Sequence, residues 1–224
     1  MDMELCQLDS VYLHNLNHYN KIVNQRNRLL KDLYANPGLK DTLFLWDSQL
    51  AAFGQKIIER RNTFISQLNE IIYGLHLKLT GGKEELQIVY EPDVLALDFE
   101  EKLQKCQERD IRLKQTSIGP HRDDFSFAVG TVDIRKFGSQ GQQRTAALSL
   151  KLAEIELVKK MTKDVPLLLL DDVLSELDSN RQNYLLNSIG ELQTIITCTG
   201  LEEFVNNRFE INKVFKVSDG VIHE

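Results

Sequence analysis

Pro166-Leu167-Leu168-Leu169-Leu170-Asp171-Asp172-Val173-Leu174-Ser175-Glu176-Leu177-Asp178 is the stretch on which the fold turns. Four leucines run behind a proline without polar interruption. An antiparallel surface strand alternates apolar and polar side chains. A short unbroken run suits a central parallel strand covered on both faces. Full burial of each leucine contributes roughly 1.5–3 kcal/mol, so the strand reads as a core anchor. Two carboxylates, Asp171 and Asp172, follow at once. In open α/β sheets, ligands bind beyond the carboxyl ends of the strands. A carboxylate there can hold Mg²⁺ through water, and a second can orient a water molecule. The same residues also read as a strand end closed by two exposed acids before a turn. Taken alone, they leave both readings open.

Composition narrows the class. A chain of 224 residues that is 42% hydrophobic and 27% charged can bury a substantial core as one or two globular domains. No apolar run approaches the roughly 20 residues that span a bilayer, and Met1 to Cys6 lacks the basic and apolar regions of a signal peptide. Cys6, Cys106 and Cys198 are far apart and form no CxxC pair, so neither a zinc site nor a disulfide framework is indicated. A reducing cytoplasm and no membrane are expected. The net charge of -6 argues against binding a polyanion through bulk charge and leaves room for a local basic patch.

The amino-terminal part is helical by its spacing. Over residues 1–33, Leu5, Leu8, Tyr12, Leu16, Tyr19, Val23, Leu30 and Leu33 recur at three, four and seven. Asn36-Pro37-Gly38 ends that pattern as a turn. A second helix is expected over Asp41 to Tyr73, with Leu43, Trp46, Leu50, Phe53, Ile57, Arg61, Phe64 and Leu68 on its buried side. Two helices joined by a short turn make an antiparallel pair. Leu75, Leu77 and Leu79 alternate with polar neighbours, as do Leu86, Ile88 and Tyr90, with Gly81-Gly82 between them. This spacing predicts a β-hairpin. His76 has no ligand-spaced partner for a metal. Asp98 to Lys114 reads as an exposed helix with Phe99, Leu103, Cys106 and Ile111 inward.

The character changes at Thr116. Gly119-Pro120-His121-Arg122-Asp123-Asp124 is a compact turn dense in hydrogen-bonding groups, followed by strands over Phe125 to Val129 and Val132 to Phe137. Gly138-Ser139-Gln140-Gly141-Gln142-Gln143-Arg144-Thr145 then opens a helix whose inner stripe is Ala146, Leu150, Ala153, Leu157 and Met161. Ser139 is the expected N-cap. Glycines admit close approach of a ligand, and a helix N-terminus attracts an anion such as phosphate. After the leucine strand come a helix over Ser179 to Ile189, a buried strand over Thr194 to Thr199 and a short helix over Glu202 to Asn206. A hairpin of Lys213 to Val217 and Val221-Ile222 turns at Asp219-Gly220. Strand, helix, strand implies a parallel core with an antiparallel edge.

The order Ser139-Gln140-Gly141-Gln142, Leu167 to Asp172, Ser175-Glu176-Leu177-Asp178 resembles the signature, Walker B and D-loop of an ABC-type ATPase head. The wording of the motifs resembles the bacterial RecF family. Gly119 to Asp124, Phe137 to Thr145 and Leu170 to Asp178 look like that family's own motifs. Tyr12 to Lys31, with His18-Tyr19-Asn20 and Gln25-Arg26-Asn27, is similar to the start of its helical arm. The implied fold is α/β: a partial ABC-ATPase-like head with a mixed, partly parallel sheet, plus a helical arm containing a β-hairpin. The implied domains are the arm over 1–115 and the carboxyl-terminal part of the head over 116–224. The resemblance makes Asp171 the Mg²⁺-holding aspartate and puts Asp172 where many such ATPases carry a catalytic glutamate. It brings Ser139, Gln140, Gly141 and Gln142 to the γ-phosphate of ATP on an opposing subunit, and takes Asp178, with Ser175, across a head-to-head homodimer. Thr197-Cys198-Thr199 occupy the stretch where a switch histidine would stand. The family implies ATP-dependent binding to gapped DNA and single-strand/double-strand junctions, and loading of RecA recombinase with RecO and RecR. Arg26, Arg28 and Lys31, or Arg60 and Arg61, are DNA-contact candidates.

One part of that pattern has no counterpart. A Walker A loop reads Gly-x-x-x-x-Gly-Lys-Ser/Thr. The Gly82-Lys83 pair carries Glu84 at the Ser/Thr position and Leu77 at the first glycine. The chain therefore reads as a RecF without its amino-terminal lobe, expected not to hydrolyse ATP alone. A non-catalytic arm-and-scaffold module that binds partners or DNA is the alternative. The helices are too short for the long coiled coil of an SMC-type head.

Overall fold

The computed structural model describes residues 1–174, 177–190, 192–199 and 213–223. The chain divides into two compact units, Met1–Asp164 and Val165–Glu224.

The first unit is built on one long helix. α1 (Asp2–Leu8) and α2 (Ser10–Asp32) replace the single helix expected over 1–33. The break is chemical: Asp9 is extended, and its carboxylate accepts the N–H groups of Val11 and Tyr12, both at 3.0 Å. A 3-10 turn over Pro37–Thr42 leads into α3 (Leu43–Leu79), of 37 residues. Tyr12 pairs with Arg61 and Arg26 with Asp47, so rising numbers on α2 meet falling numbers on α3, as in an antiparallel pair. α3 runs six residues beyond the expected end. Leu75 to Leu79 are its last turns, not the first strand of a hairpin. His76 and Leu79 are buried at helical spacing with Ile72, and the helix runs through Gly74 without a break until Gly81-Gly82. There the Gly82 N–H bonds back to the Leu77 carbonyl at 2.7 Å, with both glycines at positive φ, which closes the helix.

β1 (Leu86–Glu91) consequently finds a distant partner. It pairs antiparallel with β2 (Asp124–Val129), Leu86 opposite Val129 and Glu91 opposite Asp124. Between them lie α4 (Phe99–Lys105) and α5 (Gln107–Leu113), two pieces where one helix was expected. β3 (Val132–Asp133) is only two residues long. Asp133 accepts the N–H groups of Arg135 and Lys136 and starts α6 (Ile134–Phe137), which replaces the rest of the expected strand. α7 (Gln140–Thr162) packs along α3. Tyr19, Leu50, Ile57, Phe64, Ile72, Ile88, Phe99, Ala146 and Ala153 share one core.

The second unit is thinner. β4 (Leu168–Asp171) and β5 (Thr194–Thr197) are parallel, with α8 (Ser179–Ser188) as the crossover. Leu170, Leu174, Leu185 and Leu186 are buried, whereas Leu167 is 55% and Leu169 is 66% exposed. The expectation of two covered faces, and of a buried strand at 194–199, is therefore corrected. Leu169 stands beside the half-exposed Ile195, its register partner on β5. β6 (Lys216–Ser218) and β7 (Val221–His223) form the expected hairpin, with Asp219 and Gly220 both at positive φ as a type I′ turn requires. The helix expected at 202–206 lies outside the described residues.

Candidate functional site

The strand-end acids sit where β4 stops. Asp171 is exposed, and its Oδ1 accepts the hydroxyl proton of Thr197, its register partner on β5. The chain then turns through Asp172 at φ 51, a left-handed conformation that aspartate tolerates better than most side chains. The Asp172 N–H is shared between the carbonyl and the hydroxyl oxygen of Thr197, each at 3.1 Å. Thr197 thus orients one acid and pins the backbone of the next. It stands in the stretch where a histidine was sought, and the visible signal was only its place at the end of an adjacent parallel strand. Asp178 caps α8. Its carboxylate accepts the N–H groups of Asn180 and Arg181 at 3.1 Å and pairs with the Arg181 guanidinium at 3.1 Å. Ser175 lies outside the described residues.

The Ser139 turn is a capping box. Ser139 Oγ accepts the Gln142 N–H at 3.2 Å, and the Gln142 side-chain oxygen accepts the Ser139 N–H at 2.9 Å. Gln142 then spends its amide nitrogen on Glu84 at 3.0 Å, so both ends of this side chain are held inside the chain. Gln140 is exposed, and at this helix start its N–H and that of Gly141 fall among the first-turn donors without an intrahelical partner. Gly138 is required locally, because a Cβ there would meet the Ile134 carbonyl at 2.5 Å. Gly141 is different. A Cβ there would have only Ser139 Oγ nearby, at 3.9 Å. Glycine inside a helix costs roughly 0.5–1 kcal/mol relative to alanine, and packing within this chain does not call for it. Gln143, which sequence reading did not single out, braces the turn by donating to the carbonyls of Ile134, Arg135 and Gly138 at 3.2–3.3 Å.

The Gly119–Asp124 turn is a lock. The Asp123 carboxylate is fully buried and accepts from Arg61 at 2.8 Å, from the Asp93 N–H at 3.0 Å and from the Tyr90 hydroxyl. Arg61 also reaches the Pro120 carbonyl at 2.5 Å and Asp2 at 2.8 Å. Burial raises the Tyr90 pKa, and Asp123 beside it adds to the effect. His121 Nε2 donates to the Thr116 carbonyl at 3.3 Å, so its Nδ1 accepts the Tyr19 hydroxyl at 2.7 Å. Burial holds His121 below the usual imidazole range. Gly119 is at φ 128, where a Cβ would lie 2.4 Å from the Tyr19 hydroxyl. Arg26 is a second lock, fully buried between Asp47 at 2.6 Å and Asp110 at 2.7 Å. Arg26 and Arg61 are therefore withdrawn as DNA contacts, since burial commits both guanidinium groups to carboxylates. Arg60 pairs with Asp9 at 2.8 Å, while Arg28, Lys31 and Arg122 stay exposed.

Among the described residues, no cluster of three or more His, Cys, Asp or Glu is arranged to hold a metal ion, and no helix is long and apolar enough to cross a membrane.

The fold is mixed α/β and of the ABC-ATPase-like class. The chain belongs to the RecF family and corresponds to the carboxyl-terminal portion of its longer members. It is 62% identical over 224 residues to the DNA replication and repair protein RecF of Lachnoclostridium phytofermentans, covering 100% of this chain and 62% of that protein. Against the protein of the same name from Lachnospira eligens it is 60% identical over 227 residues, again spanning 62% of the relative. Two solved structures, of the recombination mediator protein RecF-ATP and RecF-ATPrS in the RecFOR pathway, superpose with a TM-score of 0.87 at 33% and 34% identity. Each match covers 99% of this chain and 60% of the other. No protein-family model matches the chain.

Proposed function

We propose that the chain is the arm and partial head of an ATP-gated DNA-binding switch. In its complete form it acts in the cytoplasm at gapped DNA and single-strand/double-strand junctions and helps RecO and RecR to load RecA. The observation that carries this reading is the pair of half-sites on one chain: an acid-tipped parallel strand, and a helix mouth with backbone N–H groups exposed beside a glycine that internal packing does not require. Similarity to a RecF solved with ATP supports it. Functionally, the arm is residues 1–115 and the head begins at 116, although 116–164 are compact with the arm.

The donor sets fit the groups they would take. Asp171 is an exposed carboxylate with one oxygen oriented by Thr197, suited to holding Mg²⁺ through water. Asp172, on the turn behind it, would orient the attacking water. Its side chain is one methylene shorter than glutamate, which favours slow turnover. Ser139, Gln140 and Gly141 would offer donors to the γ-phosphate of an opposing subunit, with Gln142 holding the turn in shape. Asp178, at the mouth of α8, would line the same homodimer interface. Bound Mg²⁺ and ATP would supply charge neutralisation and the adhesive between subunits.

Because a Walker A loop is not found in this sequence, the 224-residue chain is expected to bind Mg-ATP negligibly by calorimetry. Fused to the amino-terminal lobe of the Lachnoclostridium relative, it is expected to dimerise with ATP. Micromolar affinity in the 224-residue chain, or no ATP-driven dimer in the fusion, would overturn the reading.

A further inference from the structure

The helix mouth is held from behind by groups that a capping box does not need. Gln142 Nε2 donates to Glu84 Oε1 at 3.0 Å. The other oxygen of Glu84 lies 3.4 Å from Nε2 of His76, which is 1% exposed in the last turn of α3. His76 Nδ1 is 2.8 Å from Ser149 Oγ on α7. That hydroxyl gives its only proton to the Thr145 carbonyl at 2.8 Å, so Nδ1 is the donor in this contact, and the Nε2 contact with the Glu84 carboxylate is a hydrogen bond only in the imidazolium form, in which both ring nitrogens donate. Thr145 in turn donates its hydroxyl to the Gly141 carbonyl at 2.7 Å. The circuit starts and finishes at Gly141-Gln142 and passes through the end of the arm helix. Thr145, Ser149 and His76 are buried, and unpartnered polar groups there would be costly, so the circuit resists piecemeal rearrangement.

α3 is about 55 Å long at 1.5 Å per residue. A hydrogen bond tolerates only a few tenths of an ångström before it weakens. A tilt of α3 that displaces its last turn must therefore either carry Gln142 along or break the Glu84 link.

We propose that Glu84 and His76 are positioning residues that set the Ser139–Gly141 turn according to where the arm helix lies. This makes arm position an input to the ATP-dependent interface. The proposal rests on reading Ser139–Gln142 as the nucleotide-facing turn, and the two can fail separately.

The test uses this chain completed with the amino-terminal lobe of the Lachnoclostridium relative. ATP-driven dimerisation is followed by sedimentation, and nucleotide affinity of the monomer by a fluorescent ATP. Glu84→Ala is expected to weaken dimerisation about tenfold and leave monomer affinity within about twofold. Glu84→Gln, whose amide oxygen still accepts from Gln142, is expected to stay near the parent. Ser139→Arg is expected to abolish dimerisation. If Ser139→Arg dimerises normally, the nucleotide-facing reading falls and takes the proposal with it. If Ser139→Arg fails but Glu84→Ala behaves as the parent, or Glu84→Gln is as weak as Glu84→Ala, the relay alone is overturned. Amide exchange in the 224-residue chain gives a second readout that does not depend on ATP. Glu84→Ala is expected to speed exchange at residues 142–144 about tenfold relative to 150–157 on the same helix. Equal acceleration of both stretches would mean general destabilisation and would sink the relay.

Discussion

Two aspartate-bearing turns in this molecule use the same chemistry for opposite ends. At Asp123 the carboxylate is buried and satisfied by a guanidinium, a phenol and a backbone N–H, all from its own chain. At Asp171-Asp172 the carboxylates face outward, and a threonine orients one of them by its hydroxyl. The first turn welds distant segments together. The second keeps its carboxylates at the solvent-exposed end of a strand. The difference teaches that density of polar groups does not identify chemistry; what distinguishes the two is whether the carboxylates are buried inside the fold or open to solvent.

The sharpest way to break this contrast is stability. Asp123→Ala leaves Arg61 with Asp2 as its carboxylate and takes the acceptor from the Tyr90 hydroxyl and the Asp93 N–H, and is expected to cost about 3–5 kcal/mol in chemical denaturation. Asp172→Asn, on the surface, is expected to stay within about 0.5 kcal/mol of the parent. Similar losses in the two variants would erase the distinction. Turnover should respond in the reverse sense. In the lobe-completed protein, Asp172→Asn is expected to retain ATP-driven dimerisation while hydrolysis falls about a hundredfold, as for loss of a proton-handling group. Unchanged turnover would remove Asp172 from the site. Thr197→Val sharpens the comparison further. It leaves the register partner of Asp171 in place without the hydroxyl, so stability should move by less than about 1 kcal/mol while apparent Mg²⁺ affinity falls about tenfold, as for other groups that orient metal ligands. The smallest effect is in pH. The His121 pKa is lowered in the fold, so below the usual imidazole value the unfolded chain takes up the proton first. Stability of the first unit is therefore expected to be level above about pH 6.5 and to fall as pH drops below it. His121→Gln should flatten that limb, and an unaltered slope would exclude His121 as its cause.

Much of this was legible locally. The Ser139 cap, the turn at Asp219-Gly220, the apolar stripes of α2 and α3 and a parallel strand ending at Asp171 all follow from spacing over a few residues. The failures have one origin. Leu75 to Leu79 alternate like a strand, but a helix already packed through Ile72 continues past Gly74 until the Gly81-Gly82 pair, both at positive φ, closes it. β1 was then matched to the nearest alternating segment, although its true partner begins at Asp124. Arg61 already stood on the apolar stripe of its helix, but nothing near Arg26 or Arg61 in the chain shows which carboxylates neutralise them, because those come from other elements. Thr197 was marked only by its place at the end of the strand parallel to β4.

By itself, the sequence determined the elements and the positions at which chemistry could be placed, because caps, glycine turns and hydrophobic periods act through neighbours along the backbone. Only the tertiary structure decided which charges are spent internally, which strand β1 joins and which leucines of β4 stay exposed. Each depends on groups far apart in the chain, such as Arg61 and Asp123, and their burial and mutual neutralisation exist only once the fold has brought them together.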